Sequence, residues 1–288
     1  METKVLTPLP DSKTDTQVLE DLELQLLLQA IRARYGFDFL DYAKASMKRR
    51  VHQAMLNEPD VKTISSYQDR ILHDHEVMAR FLDSVSVTVT GMFRDAGFYK
   101  VLREKVVPWL KEQPLIRIWH AGCSSGEEVY SMAILLHEEG LLERSRSYAT
   151  DINQRVLEVG KEGIFPIKFM REHTVNYQNS GGKASLSDYY TAHYDSVKLR
   201  EFLGRNIVWA QHNLVTDGSF NEFHLIFCRN VMIYFNRTLQ DRVHRLIFHS
   251  LSPGGYLGLG RAESLLETPH EDHYVAIDRT EKIYRKLS

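Results

Sequence analysis

Hydrophobic positions along this chain change period once, partway along. From Gln17 to about Ser86 apolar residues recur at three- and four-residue steps, the spacing of a helix face. "VLEDLELQLLLQAIRARYGFDF" predicts a first helix, stopped by Gly36, and "DYAKASMKRRVHQAML" a second. "TISSYQDRIL" and "HEVMARFLDSVSV" give two more, with no strand-like alternation between them. The reading is a small all-helical domain over 17–88, behind a flexible leader, 1–16, rich in Thr, Pro, Asp and Lys.

"TVTGMFRDAGFYKVLREKVVPWL" reads as the junction, with 89–105 as linker. Beyond it short apolar runs alternate with helical stretches. "LIRIWHAG" is a strand, "SGEEVYSMAILLHEEG" a helix, "SYATDIN" a strand and "QRVLEVGKEG" a helix. "IVWAQHNL", "FHLIFCRNVM" and "YLGLG" look like further strands, with "RTLQDRVHRLIFHSLS" a helix before the last. This alternation predicts an α/β domain over 106–288, a parallel sheet with crossover helices on both faces. "HYVAID" and "EKIYRKL", separated by "RT", predict an antiparallel hairpin at the sheet edge. Residues 165–206, with Pro166, the flexible "NSGGKAS" and the Tyr-rich "DYYTAHYDSV", break the rhythm and read as an inserted subdomain.

At 288 residues and 43% hydrophobic content, the chain can fill one sizeable core and a second small one. Lys plus Arg is 36 and Asp plus Glu is 38, without the basic excess of a dedicated nucleic-acid binder. Cys123 and Cys228 stand far apart, in no metal-ligand spacing and no disulfide framework, which points to a reducing compartment and no metal. The first ten residues lack a signal-peptide run, and nothing later reaches the length of a membrane-spanning helix. The expectation is a soluble cytoplasmic protein.

In an open parallel sheet, ligands bind beyond the carboxyl ends of the strands at the switch point. The turn after the first strand holds Gly122, Ser124, Ser125 and Gly126, small enough for a ligand to approach the backbone. Glu127 and Glu128 follow at the helix start. The helix dipole alone favours acids there. They also discourage a phosphate and suit a cationic ligand. Asp151 ends the second strand, where an acid typically accepts ribose hydroxyls. A nucleoside with a positive group and no nearby phosphate describes S-adenosylmethionine. NAD fits worse, because "GCSSGEE" is not G-x-G-x-x-G. Asn213 after the third strand, and Asn230 and Tyr234 after the fourth, converge on the same edge. Taken singly, each Asn reads better as a turn residue bonding its own backbone, and Tyr234 from spacing alone as a core aromatic with one polar end; taken jointly, those readings are less attractive.

The set "FRDAGFY", "GCSSGEEVYS", "ATDIN" and "FCRNVMIYFN" resembles the CheR chemotaxis-receptor methyltransferases. The helical stretch before residue 87 fits that family's amino-terminal domain, so the resemblance covers nearly the whole chain after the leader. It implies a class I, Rossmann-like methyltransferase domain behind the helical one. It implies methyl transfer from S-adenosylmethionine to glutamate side chains on a chemoreceptor's cytoplasmic helices, giving glutamate methyl esters and S-adenosylhomocysteine. By matching position, Thr90 and Arg94 contact the cofactor, Glu128 faces its ammonium and Asp151 its ribose. Asn213 with Leu214, and Asn230 with Val231, line the adenine and methionine pocket beside Gly122. Arg94 and Tyr234 lie near the methyl acceptor as positioning groups, because a glutamate carboxylate is already ionised and needs no general base.

The match has departures. The family often has Asn at Thr88 and an aromatic at Met92, so a cofactor role for Thr88 is the weaker one. Lys44, Lys48, Arg49 and Arg50 imply a docking face for acidic receptor helices, with His52 and Gln53 where more arginine is usual. Such a run is also an ordinary solvated face. Some members bind a receptor's carboxyl-terminal pentapeptide through a small β-subdomain with a glycine-bearing loop. "YYTAHYDSVKLREFL" has no glycine between Tyr189 and Phe202, so pentapeptide independence is expected, as is a monomer. Three other readings compete: a non-catalytic S-adenosylmethionine-binding signalling module, a methyltransferase for RNA or a small molecule, and an NAD-dependent oxidoreductase.

Overall fold

The computed structural model describes residues 15–85 and 90–287, so Thr88 lies outside the described residues. The chain divides into two compact units, Met1–Leu40 with Lys44–Ser84, and Asp41–Ala43 with Val85–Ser288.

The first unit is built from helices α1 (Asp15–Tyr35), α2 (Lys44–Met55), α3 (Ile64–His73) and α4 (His75–Val85). Leu24, Leu27, Leu28 and Ile31 bury one stripe of α1. The helix ends where Gly36, at φ +78°, turns its N–H back to the Arg32 carbonyl. At the start of α3, Thr63 Oγ1 accepts the Ser66 N–H and Ser66 Oγ accepts the Thr63 N–H, a reciprocal cap. Buried Tyr67, Phe39 and Phe81 meet edge-to-face in the core.

In the second unit α5 (Ala96–Val101) runs through a π-turn, Leu102–Val106, into α6 (Val107–Lys111). There follow β1 (Ile116–Ala121), α7 (Glu127–Glu138), β2 (Ser145–Asp151), α8 (Gln154–Glu162) and β3 (Ile164–Pro166). Next come α9 (Met170–Asn179), β4 (Tyr190–His193), β5 (Ser196–Leu199), α10 (Glu201–Gly204), β6 (Ile207–Gln211) and β7 (Phe223–Cys228). The unit closes with α11 (Arg237–Ser250), β8 (Leu251–Leu259), β9 (Tyr274–Asp278) and β10 (Ile283–Lys286). The main sheet has the order β6-β2-β1-β7-β8-β10-β9, parallel as far as β8 and antiparallel beyond. The chain runs outward from β1 to β2 and β6, then returns to β7 and β8 on the other side. The switch point therefore lies between β1 and β7. Residues Asp41–Ala43 belong to this unit: Tyr42 bridges Phe235, and the Ala43 N–H donates to the Tyr234 carbonyl at 2.8 Å.

Four expectations need correcting. Of the expected linker 89–105, the described residues 90–105 are no free connector, because Phe93, Phe98, Tyr99 and Leu102 are fully or almost fully buried in the sheet unit's core. The insertion forms a small antiparallel sheet, β3-β5-β4, but also the helix α9, whose apolar spacing is too sparse to read from sequence. "NSGG" is not a loose loop. Lys183 N–H donates to Glu138 at 3.1 Å, Ala184 N–H to the Tyr177 hydroxyl at 2.8 Å, and Gly182 lies flat on the buried Tyr177 ring. The hairpin connection occupies 279–282 rather than two residues, with a register shift between Ile283 and Tyr284.

Candidate active site

β1 ends at buried Ala121 and the chain turns sharply before α7. The Gly122 and Cys123 N–H groups both donate to the Thr150 carbonyl, at 2.8 and 2.9 Å, which ties the turn to β2. Gly122 has φ +76°, and a Cβ there would stand 2.5 Å from Val231 Cγ2, so the loops after β1 and β7 touch at this glycine. The Ser124 N–H donates to Asp151 Oδ2 at 2.9 Å, and Asp151 Oδ1 accepts the Asn153 N–H at 3.0 Å. Burial pushes the Asp151 carboxyl up, against those backbone donors.

The two glutamates after the turn separate. Glu127 accepts the Ser125 hydroxyl at 2.7 Å and is pushed up by burial. Glu128 meets β7 across the switch point. Its Oε2 lies 3.2 Å from Arg229 Nη1, and its Oε1 3.0 Å from His120 Nδ1. Burial opposes the Glu128 charge, but His120 and Arg229 outweigh it and hold the carboxyl below its ordinary value. Arg229 also bonds Asp95 Oδ2 at 2.8 Å and the Arg94 carbonyl at 3.1 Å, with its guanidinium 4.2 Å above the Phe98 ring.

These contacts position Arg94. It sits between Phe93 and Asp95, both left-handed at φ +53° and +58°, a bend that L residues adopt only when held. The Phe93 N–H donates to Ser131 Oγ at 2.8 Å, so α7 holds one side and Arg229 the other. Asp95 leads on to Arg261 at 3.7 Å, which forks onto Glu281.

A cavity of about 310 Å³ opens at this junction. Of the residues expected from sequence, Thr90, Arg94, Gly122, Glu128, Asn230 and Tyr234 line it, and Ser124 and Arg229 help complete it. Asp151, Asn213, Leu214 and Val231 lie outside that lining. Asp151 braces Ser124, and Val231 packs on Gly122. Asn213 Oδ1 accepts the Val215 N–H at 2.9 Å while its own N–H donates to Asp217, the turn role open to it from sequence. Leu214 is buried in the core cluster on that side of the sheet. In the helical unit, Lys48 is committed to Glu20 at 2.6 Å and Lys44 to Asp21 at 3.0 Å. Arg50 donates to the Ser84 carbonyl, and Arg49 is exposed.

Sequence reading gave no role to His120, Arg229 or Glu263, the last of which holds the loop after β7. Arg229 leaves a signal, a lone cation closing the apolar run "FHLIFC", which burial obliges to find a carboxylate. His120 and Glu263 act through tertiary contacts alone.

Two family models match: the CheR methyltransferase all-alpha domain over residues 22–86, and the CheR methyltransferase SAM binding domain over residues 88–282. The chain belongs to the CheR methyltransferase family. One CheR relative, a Pseudomonas putida protein with the provisional name methyltransferase Cher3, is 44% identical over 266 residues, 92% of this chain and 97% of its own. The chemotaxis protein methyltransferase of Listeria innocua is 27% identical over 253 residues, 86% of this chain and 93% of its own. Among solved structures, the N-methyltransferase NodS of Bradyrhizobium japonicum is 13% identical, covering 68% of this chain and 97% of that one at a TM-score of 0.36, too loose a likeness to inform the site.

CheR membership makes S-adenosylmethionine the cofactor. The residues present fit it. Ser124 Oγ lines the cavity and is buried with no hydrogen-bond partner among the described residues, an atom that a polar ligand satisfies. Among the described residues of the lining, Glu128 offers the one carboxylate, as an ammonium requires. Among the described residues no group of three or more His, Cys, Asp or Glu side chains is placed to hold a metal, and no helix is long and apolar enough to cross a membrane.

Proposed function

We propose that this CheR protein methylates glutamate side chains on the cytoplasmic helices of a chemoreceptor, giving glutamate methyl esters. The observation that carries the reading is the placement of Arg94 and Tyr234 on the same cavity as Glu128. When bound, the cofactor supplies a methyl group on a sulfonium that leaves as a neutral thioether. Glu128 would hold the ammonium, Asp151 the ribose, and Asn213 with Leu214 the adenine, residues that follow or end β1, β2 and β6. Asp151 Oδ2 accepts the Ser124 N–H and Oδ1 the Asn153 N–H, and a carboxylate has acceptor sites beyond these for a further donor. Asn230 and Val231 close the methionine end, and Thr90 joins Arg94 at the roof.

The acceptor carboxylate arrives ionised, so no residue has to remove a proton. Arg94 orients it by charge, and the Tyr234 hydroxyl donates to the same group. Neither is an acid-base catalyst, and the rate gain comes from positioning and exclusion of water. Arg49 and Lys44 face an acidic receptor helix, Lys44 exchanging Asp21 for a receptor carboxylate, which makes docking sensitive to salt. The turn between β4 and β5 is closed by Tyr194, left-handed at φ +46° and fully exposed, in place of glycine. We read this member as independent of a pentapeptide tether and acting as a monomer. Calorimetric titration with such a peptide should show no heat of binding.

The deciding experiment incubates the protein with S-adenosylmethionine labelled in the methyl group and receptor-containing membranes of the source cell, with Asp151→Ala as control. Base-labile label on a receptor-sized band, released as methanol and absent with the control, is the expected result. Base-stable label means methylation at nitrogen or carbon and removes the glutamate assignment. Cofactor binding without any label favours a sensing module.

A further inference from the structure

The loop after β7 carries both Asn230 and Tyr234 into the cavity, and Asn230 is left-handed at φ +60°. That conformation, followed by a right-handed Val231, aims the successive N–H groups of Asn230, Val231 and Met232 at one point. Such a backbone nest attracts an anion. Here the anion is part of the chain. Glu263 Oε2 accepts the Asn230 N–H at 2.9 Å, and Oε1 accepts those of Val231 and Met232 at 2.9 and 2.8 Å. Oε2 also accepts the Gly260 N–H at 2.6 Å, so four backbone donors occupy the carboxylate. Glu263 is 5% exposed and lines no part of the cavity.

We propose that Glu263 is the positioning residue of the methyl-transfer site, its carboxylate clamping the Asn230–Met232 backbone so that Asn230 and Tyr234 are set before any ligand arrives. The role of Tyr234 toward an acceptor rests on the function proposed above; the clamp itself and its effect on the cofactor do not. Two features follow from the geometry. The nest is filled from within, so it takes no phosphate, which selects a phosphate-free nucleoside at this end of the site. Gly260 is required as glycine, because a Cβ there would stand 2.8 Å from Asn230 N, from Asn230 Nδ2 and from Glu263 Oε2. The seat of the loop is thus the pair Gly260 and Glu263, distant from the loop in sequence but in contact with it.

The test uses Glu263→Gln, which keeps the shape but turns an amide NH₂ toward backbone donors. Two quantities are read on the full chain without any methyl acceptor. One is the Kd for S-adenosylhomocysteine by calorimetry; the other is hydrogen exchange at residues 230–232. The expected result is a Kd raised about tenfold or more, with exchange at 230–232 faster by a similar factor and exchange in β1 and β2 unchanged. Glu263→Asp, which retains the charge on a shorter arm, should recover part of the affinity. A Kd and a loop exchange rate within about twofold of the parent overturn the proposal. So does a uniform rise in exchange across the sheet, which marks a merely structural residue. If Glu263→Gln does not fold, Gly260→Ala is measured in its place, and unchanged affinity and exchange there overturn the proposal equally. Failure to methylate any receptor leaves both readouts intact, so the clamp and the glutamate assignment fail separately.

Discussion

Replacing Arg229 by Met should cost this protein about 3–5 kcal/mol of stability, because the change strands a buried carboxylate. The Arg229 side chain is 3% exposed and that of Glu128 16%. Met fills much of the same volume over the Phe98 ring, so the packing loss is small beside the electrostatic one. What disappears is the bond to Glu128 at 3.2 Å, the bond to Asp95 at 2.8 Å and the donor to the Arg94 carbonyl. Asp95 is 21% exposed and keeps Arg261, so most of the penalty falls on Glu128, left with His120 alone. For a unit of this size each kcal/mol shifts the midpoint by about 2–4 °C, so melting should fall by roughly 10 °C. The assay is urea unfolding and calorimetry at pH 7 for Arg229→Met, Glu128→Gln and the double variant. Neutralising Glu128 in the Met background should restore about half of the loss, a coupling that the double-mutant cycle reads directly. A single-variant loss below about 1 kcal/mol, or a double variant no more stable than Arg229→Met, would refute the view of Glu128 as a buried charge held by Arg229.

Tyr234→Phe should lower kcat by about tenfold while the Kd for S-adenosylhomocysteine stays within about twofold, as measured by single-turnover transfer and calorimetry; loss of cofactor binding instead would remove its positioning role. Gly122→Ala combines a left-handed backbone with a Cβ 2.5 Å from Val231, and should destabilise by about 1–3 kcal/mol and weaken the cofactor, with Val231→Ala in the same chain recovering part. His244 is 3% exposed, and burial with Arg237 and His270 nearby lowers its pKa to about 4 against the opposing charge of Asp241. The unfolded chain therefore takes up the proton first, and stability present above about pH 6.5 falls by up to about 3 kcal/mol as pH drops to about 4. Urea midpoints from pH 7 to 4.5 should show this slope, and His244→Gln should flatten it.

Much of the site was legible because its signals are local. Of the cavity lining, Gly122 and Glu128 follow from where a strand ends and a helix begins, and Asn230 and Tyr234 from a motif within nine residues. The rest depended on partners distant in sequence. Nothing near "RAES" announces that Glu263 holds a loop 30 residues earlier. Nothing in "FRDAGFYKVL" separates a connector from a helix buried by Phe98, Tyr99 and Leu102, since both read as mixed polar and apolar. The basic run on α2 was visible, but not that α1 neutralises Lys44 and Lys48 through Asp21 and Glu20. Asn213 had two readings, and its bonds to Val215 and Asp217 show that the turn role is filled, which a single position in the sequence does not announce.

The strap Asp41–Ala43 belongs to the sheet unit although the sequence on either side of it belongs to the helical one. The backbone enters the helical unit, crosses to the sheet unit for three residues, and returns to helical structure at Lys44. In the sheet unit the Ala43 N–H holds the Tyr234 carbonyl, and Asp41 accepts the Asn236 side chain at 3.1 Å. A single cut near residue 85 therefore does not yield two intact modules. It strips the strap's hydrogen bonds from the loop that bears Tyr234. A chimera that exchanges the amino-terminal helices for those of another protein carries a foreign strap onto the loop that bears Tyr234. Any exchange of those helices has to preserve these three residues to leave the Tyr234 loop as it is.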